Sequence, residues 1–293
     1  MKLKYLSFTL LPLLVFAKQH YSENFYFNPS WHQTFKIKDI LFEEKSDHQE
    51  LIIFENEDFG RVLALDGIIQ TTEGDEFIYH EMIVHVPMMT HENPKNVLII
   101  GGGDGGSIRE VLKHQSVEKV TLVEIDQAVV DLCKTYLPRH SNGAFDHEKA
   151  HIVIDDGAEF IRNTTEKFDV IICDSTDPVG PGAILFDTSF YQNCKKCLNK
   201  KGLFVSQNGV PLIQEDELVD AHQKLSTVFE NVHHFIAPIP TYVGGFMVFS
   251  LSTDQNYKMK ASRESEISSL KYYTKPIHKG AFALPPYILK HIK

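Results

Sequence analysis

Val97-Leu98-Ile99-Ile100-Gly101-Gly102-Gly103-Asp104-Gly105-Gly106 is the stretch whose reading decides the fold. Four consecutive apolar residues make a short run with no polar face, as in a strand buried on both sides. The glycines that follow allow a tight turn, and residues 107–114 then read as a helix. Moving downstream, the same grammar repeats. Residues 120–123 form the next apolar run and 128–136 the next helix, and further runs occupy 151–154, 170–173 and 203–206. Strands alternating with helices imply right-handed crossovers and an α/β fold. The expectation is a doubly wound, mainly parallel Rossmann-like sheet, of the class I methyltransferase-like kind. In such sheets ligands bind beyond the carboxyl ends of the strands.

Upstream, the pattern is different. Residues 51–54 are apolar, 61–65 and 68–70 are β-prone, and Asp66-Gly67 lies between the last two. Asp-Gly between two such runs signals a hairpin. A small antiparallel β domain is therefore expected ahead of the large sheet, followed by a helix over 76–89. The division by sequence is 1–34 as an N-terminal extension, 35–90 as the small β domain with its linking helix, and 91–293 as the catalytic domain. Within the extension, Lys2 and Lys4 precede an apolar run over 6–16, with small residues Val15 and Ala17 at plausible cleavage spacing. That resembles a secretory signal and is too short to span a bilayer. The alternative is an added segment on a cytoplasmic enzyme, and cytoplasmic is the reading adopted, with export left open.

The chain has 293 residues and a formal net charge of −10. A negative field suits small cationic ligands and disfavours nucleic acid and anionic membrane. The four cysteines are too few for a disulfide framework in a chain of this length. Cys194 and Cys197 form a C-x-x-C inside a helical run, and no second pair or histidine completes a zinc set. They are read as ordinary packed or surface thiols. The histidines other than His80, including His233 and His234, are expected on the surface, and no metal site is expected.

The ends of the predicted strands carry the chemistry. Gly101, Gly103 and Gly106 make a G-x-G-x-x-G, which nicotinamide cofactors and S-adenosyl compounds both use. Asp104 within that loop would repel a pyrophosphate and welcome a cation. Glu124, after the second strand, is placed to accept hydrogen bonds from ribose hydroxyls, and Asp126 to cap the next helix. Asp156, after the third strand, either accepts from an adenine amine or caps a helix. Asp174 and Asp177 follow the fourth strand, where two buried carboxylates are costly unless they face a cation. No lysine or arginine lies in these segments. A site for a sulfonium and an amine has this sign, and a phosphate site has the opposite one.

These motifs resemble the polyamine aminopropyltransferases. The resemblance rests on residues 98–106, on Leu65-Asp66-Gly67-Ile68-Ile69-Gln70-Thr71-Thr72-Glu73, on Asp75-Glu76-Phe77-Ile78-Tyr79-His80-Glu81-Met82 and on Asp174-Ser175-Thr176-Asp177-Pro178-Val179-Gly180-Pro181. Ile239-Pro240-Thr241-Tyr242 and the ending around Tyr272-Tyr273 and Ala281-Phe282-Ala283-Leu284-Pro285 also match. It extends from about Phe35 to the C-terminus and is nearest to the bacterial spermidine synthases, which carry histidine after the tyrosine, as His80 does here.

The resemblance implies transfer of an aminopropyl group from decarboxylated S-adenosylmethionine to putrescine, with no metal or resident cofactor. Asp174 would take the proton of the attacking amine, and Asp177 would hold the distant ammonium. Tyr79, His80, Asp104, Gln207 and Tyr242 would line the amine side, with Trp31 capping it. Gln49, Gly101, Gly103, Asp104, Glu124, Asp156, Gly157 and Pro181 would contact the donor, whose product is methylthioadenosine. The loop 177–186 is either a lid or a plain connection. A homodimer or homotetramer is implied, and the exposed edges of the small sheet suit association. Rival readings are a spermine or thermospermine synthase, a diamine N-methyltransferase and a non-catalytic polyamine-binding protein.

Overall fold

In the computed structural model the described residues are 19–23, 28, 30–262, 267 and 269–292, with the Pro181 side chain excepted. The signal-like segment 1–17 lies outside them. Strands β1 (His20–Ser22) and β2 (Thr34–Lys36) pair antiparallel. Strands β3 (Asp39–Lys45), β4 (Glu50–Asn56), β5 (Gly60–Leu65) and β6 (Ile68–Thr72) make a four-stranded antiparallel meander. The β5–β6 turn is the Asp66-Gly67 pair. Both residues are left-handed, with φ of 47° and 89°, which two-residue hairpins need and a β-branched side chain resists.

Helix α1 (Glu76–Thr90) leads into the large sheet. Its elements are β7 (Asn96–Gly101), α2 (Gly106–Leu112), β8 (Lys119–Glu124), α3 (Gln127–Tyr136), α4 (Pro138–Ser141), β9 (Ala150–Ile154), α5 (Gly157–Asn163) and β10 (Phe168–Asp174). The chain continues through α6 (Thr188–Cys197), β11 (Leu198–Gln207), α7 (Glu215–Val228), β12 (Asn231–Pro238), β13 (Phe246–Thr253), α8 (Lys275–Ala281) and α9 (Pro286–Leu289). The sheet order is β12-β13-β11-β10-β7-β8-β9. The five strands from β11 to β9 run parallel, and β13 and β12 are antiparallel at one edge. The strand order reverses between β7 and β10, so a crevice opens beyond their carboxyl ends.

Alternate residues of the strands feed two different layers. Val97, Ile99, Leu122 and Ile172 pack with Met82 and Val86 of α1. Leu98, Ile100, Val123 and Ile171 pack with Phe190, Tyr191 and Cys194 of α6. Each such side chain stabilises the fold by roughly 1.5–3 kcal/mol through burial. The meander is layered in the same way. Leu51, Ile53, Leu63 and Leu65 cover Val129, Leu132 and Cys133 of α3, while Phe54 and Val62 meet Tyr21 and Phe35 of the β1–β2 pair. This stacking brings the loop before β4 and the end of β1 to the mouth of the large sheet's crevice.

The surface reading holds for His20, His32, His48, His147 and His151, which are exposed, and fails for others. His85, His114, His140, His234 and His278 are all buried. They occupy inward-facing positions and have hydrogen-bond partners that offset burial of a polar ring. His85 bridges His114 at 2.9 Å and Glu110 at 2.8 Å, and His234 bridges His222 at 2.9 Å and Ser250 at 3.0 Å. All four cysteines are buried and free. Helix α2 ends at Leu112, two residues short of the sequence expectation, because the Lys113 and His114 amides close onto carbonyls three residues back, Glu110 and Val111.

Candidate active site

A cavity of about 500 Å³ occupies the crevice beyond β7, β8, β9 and β10. Its lining includes Gln49, Tyr79, His80, Gly101, Gly103, Asp104, Glu124, Asp156, Gly157, Asp174, Asp177, Gln207 and Tyr242. Thus the residues selected from the sequence fall on one cavity, apart from Trp31 and from Pro181, whose side chain lies outside the described set. Among the described residues, no lysine or arginine lines it. Trp31 sits beside it, 43% exposed, on a neighbouring cavity of about 360 Å³ that shares Tyr242 and Val243.

The glycine loop is fitted against the end of β10. The Gly102 N–H donates to the Asp174 carbonyl at 2.9 Å. Gly101 has φ +82°, and a Cβ there would lie 2.1 Å from that carbonyl oxygen, so only glycine fits. The result is that Asp104 and Asp174 enter the same space from adjacent strands.

Their environments differ. Asp104 Oδ1 accepts from the Gly106 N–H at 2.8 Å, and Oδ2 lies 3.2 Å from His80 Nε2. The other His80 nitrogen, Nδ1, is 2.7 Å from Glu76 Oε2. Arg109 holds the same Glu76 carboxylate in a fork, with bonds of 2.8 and 3.1 Å. His80 is 2% exposed, and burial opposes its charge. The carboxylates of Asp104 and Glu76 outweigh burial and raise its pKa well above the ordinary histidine value. Burial likewise pushes Asp104 up, but the His80 cation overrides it and holds the carboxyl down at about 2.

Asp174 moves the other way. Tyr79 Oη donates to Oδ1 at 2.7 Å and Ser107 Oγ to Oδ2 at 2.5 Å. Burial still dominates, Asp104 adds repulsion, and the Asp174 pKa is raised despite His80 and both hydroxyls. Two carboxylates whose proton affinities are driven apart in one cavity can take different roles, one a fixed charge and one a proton acceptor.

On the other side, Glu124 Oε2 accepts from the Gly103 N–H at 3.2 Å and Oε1 from the Asp126 N–H at 3.0 Å. Burial raises its pKa to about 7. Asp126 caps α3 through Ala128 and binds Gln49 Nε2 at 3.0 Å. Asp156 caps α5, accepting from the Ala158 and Glu159 amides at 2.7 and 3.2 Å, so the capping alternative is realised at a cavity-lining position. The Gln207 amide braces the 174–177 loop, donating to the Ser175 and Thr176 carbonyls, while Tyr242 Oη donates to the Gln70 carbonyl at 2.5 Å. The stretch after Asp177 contains a 3₁₀ helix, Gly180–Phe186, and its Gly180, Gly182, Ile184 and Leu185 line the cavity.

Sequence reasoning missed several groups. Glu23, 3% exposed, lines the cavity from the end of β1, accepting from the Ile69 N–H at 2.7 Å and from Gln33 Nε2 at 3.1 Å. Burial, reinforced by Asp177, raises its pKa to about 8. Gln214 Nε2 reaches Asp177 at 3.0 Å. Ser107 and the Glu76–Arg109 pair act on the site from behind. Of these, only Glu76 carried a local signal, its four-residue spacing from His80 on one helix.

Comparison with known proteins agrees with this geometry. Residues 76–261 match the spermine/spermidine synthase domain, and residues 21–73 the spermidine synthase tetramerisation domain. A polyamine aminopropyltransferase from Klebsiella pneumoniae (strain 342) is 51% identical over 276 residues, covering 89% of this chain and 96% of the relative. One from Enterobacter sp. (strain 638) is 50% identical over 276 residues, with the same coverage. The crystal structure of spermidine synthase from Thermotoga maritima superposes with a TM-score of 0.85 at 41% identity, covering 93% of this chain and 94% of that one. A spermidine synthase in complex with the transition state analogue AdoDATO gives 0.87 at the same identity and coverage. The chain belongs to the spermine/spermidine synthase family and is an aminopropyltransferase.

Proposed function

We propose that this aminopropyltransferase acts as a spermidine synthase, with decarboxylated S-adenosylmethionine as donor and putrescine as acceptor. The observation that carries this reading is the pairing of Asp104 and Asp174 in one cavity that no lysine or arginine among the described residues lines. Such a cavity stabilises cations. On this reading Glu124 and Gln49 would hold the ribose, and Asp156 and Gly157 the base. Asp104, kept charged by His80, would face the donor's aminopropyl ammonium. Asp177, with Glu23 nearby, would face the ammonium at the non-reacting end of the acceptor.

In the reaction the acceptor nitrogen attacks the carbon bound to the sulfonium. The C–N bond forms, the C–S bond breaks, and its electron pair stays on sulfur to give neutral methylthioadenosine. The ammonium proton goes to Asp174, whose raised proton affinity makes it a better acceptor than an ordinary carboxylate. Tyr79 and Ser107 keep that carboxylate oriented. Holding nitrogen, carbon and sulfur in line supplies much of the remaining acceleration.

The test is methylthioadenosine release by the purified protein. Decarboxylated or ordinary S-adenosylmethionine is offered with putrescine, cadaverine or spermidine. Release with the decarboxylated donor and putrescine alone supports the reading, and release with none of the pairs defeats it. The neighbouring cavity behind Tyr242 favours one second reading, a longer acceptor, and the spermidine reaction tests it. The match to a tetramerisation domain supports a homodimer or homotetramer. No helix among the described residues is long and apolar enough to cross a membrane, and no group of three or more His, Cys, Asp or Glu among them is arranged to hold a metal ion. A cytoplasmic location follows from the intracellular nature of the proposed substrates.

A further inference from the structure

Ser107 stands in the first turn of α2 with no exposed surface, and its hydroxyl lies 2.5 Å from Asp174 Oδ2. It is the one neutral aliphatic hydroxyl on that carboxylate. Tyr79, a phenol, takes the other oxygen at 2.7 Å. With both oxygens held, the carboxylate plane cannot rotate without breaking a hydrogen bond. A glycine or apolar residue at 107 would leave Oδ2 without this donor in a buried setting, where a missing partner is most costly. We propose that Ser107 is a positioning residue for Asp174, fixing the carboxylate plane and keeping Oδ2 an acceptor until the amine proton arrives. This rests on the aminopropyl-transfer reading.

The hydroxyl suits both halves of the proton transfer. While Asp174 is a carboxylate, Ser107 donates to it. Once Oδ2 carries the proton, the serine oxygen has lone pairs to accept it. The hydrogen bond favours the charged carboxylate, so it counters burial and Asp104, which both favour the neutral acid. The other titratable groups facing Asp174 are Tyr79 and His80 from α1, Tyr242 from the loop before β13, and neighbouring Cys173. None of them is altered by a change at Ser107. Loss of the hydroxyl therefore raises the proton affinity of Asp174 alone, and the acid side of the rate profile moves to higher pH.

The experiment compares wild type, Ser107→Ala and Ser107→Thr at saturating donor and putrescine, recording kcat from pH 6 to pH 9.5. Putrescine titrates identically in all three, so a difference between variants belongs to the protein. Ser107→Ala should shift the acid limb upward by about one pH unit, as one charge-assisted hydrogen bond implies. At any pH on the acid limb, below the point where Asp174 titrates in both proteins, activity then falls about tenfold, with the alkaline plateau changed much less. Ser107→Thr keeps the hydroxyl and should retain the wild-type limb. An alanine variant with an unshifted limb overturns the proposal, whatever its plateau. A threonine variant shifted as far as alanine also overturns it, because the hydroxyl is then not the cause. Failure of the functional reading shows separately, as absence of turnover in the wild type.

Discussion

Replacing Glu23 by glutamine should stabilise the ligand-free protein at pH 9 and not at pH 5. The Glu23 carboxyl is buried, and its pKa is raised from about 4.5 to about 8, by burial first and by Asp177 as well. The sign follows from proton counting. Between the two values the folded state holds a proton that the unfolded chain has released, so stability falls as pH rises through that window. It is unaffected below the unfolded value, and the loss is complete above about pH 8. The span of about 3.5 units corresponds to roughly 5 kcal/mol as an upper figure. Glutamine does not titrate, but it cannot accept from both Ile69 N–H and Gln33 Nε2 as the carboxylate does. One lost hydrogen bond costs about 1 kcal/mol at every pH. The variant should therefore melt slightly below wild type at pH 5 and above it by about 10 °C at pH 9. Melting curves of both proteins at the two pH values measure this, and the remaining titrating groups cancel in the difference. Equal offsets at pH 5 and pH 9 would refute the reasoning, since they would mean that Glu23 has an ordinary pKa in the folded state.

Three further outcomes are expected. Asp174→Asn should lower kcat by about two to four orders of magnitude, the usual range for a positioned proton acceptor, while donor affinity by calorimetry stays within a few-fold. Asp104→Asn should relax the preference for decarboxylated over ordinary S-adenosylmethionine. At an intermediate dielectric the carboxylate repulsion it removes is worth about 2–4 kcal/mol, and competition between the two donors reads the ratio directly. Unchanged preference would remove Asp104 from donor selection. Glu76→Gln breaks a buried ion pair with His80 and Arg109, so it should destabilise the protein by about 3 kcal/mol or more and bring His80 titration down toward neutral pH, visible in the imidazole NMR signals. A His80 that still stays protonated through pH 8 would show that Asp104 alone suffices.

Much of the sheet was legible because each parallel strand is a short apolar run, and 97–100, 120–123, 151–154 and 170–173 all fall within observed strands. Asp66-Gly67 located its turn because few dipeptides adopt two successive left-handed conformations. The strand-end carboxylates were legible as a set because topology alone sends them to one crevice. What the sequence concealed depends on contacts between distant segments. Glu23 reaches the cavity only because β1 and β2 stack on the meander, and nothing near it in sequence signals that. The buried histidines were hidden for the same reason. His234 satisfies its ring through His222 and Ser250, residues from a helix and another strand, so a polar residue that looks solvated along the chain is internal in the fold.

The site combines features that separately would each disfavour folding. His80 is a cation with almost no exposure, Asp104 an anion beside it, and Asp174 a second carboxylate in the same space. Glu76 and Arg109 stabilise the first two from behind, which leaves Asp174 as the group whose negative charge is least compensated. Among the described residues, the side chains that donate hydrogen bonds to it are two neutral hydroxyls, Tyr79 and Ser107. An alkyl ammonium entering there supplies the missing positive charge and then, by giving up its proton, removes the negative one. The uncompensated carboxylate thus both attracts the acceptor amine and converts it to a nucleophile. A lysine or arginine placed near Asp174 would relieve the electrostatic cost in the ligand-free protein, and it would abolish both effects at once.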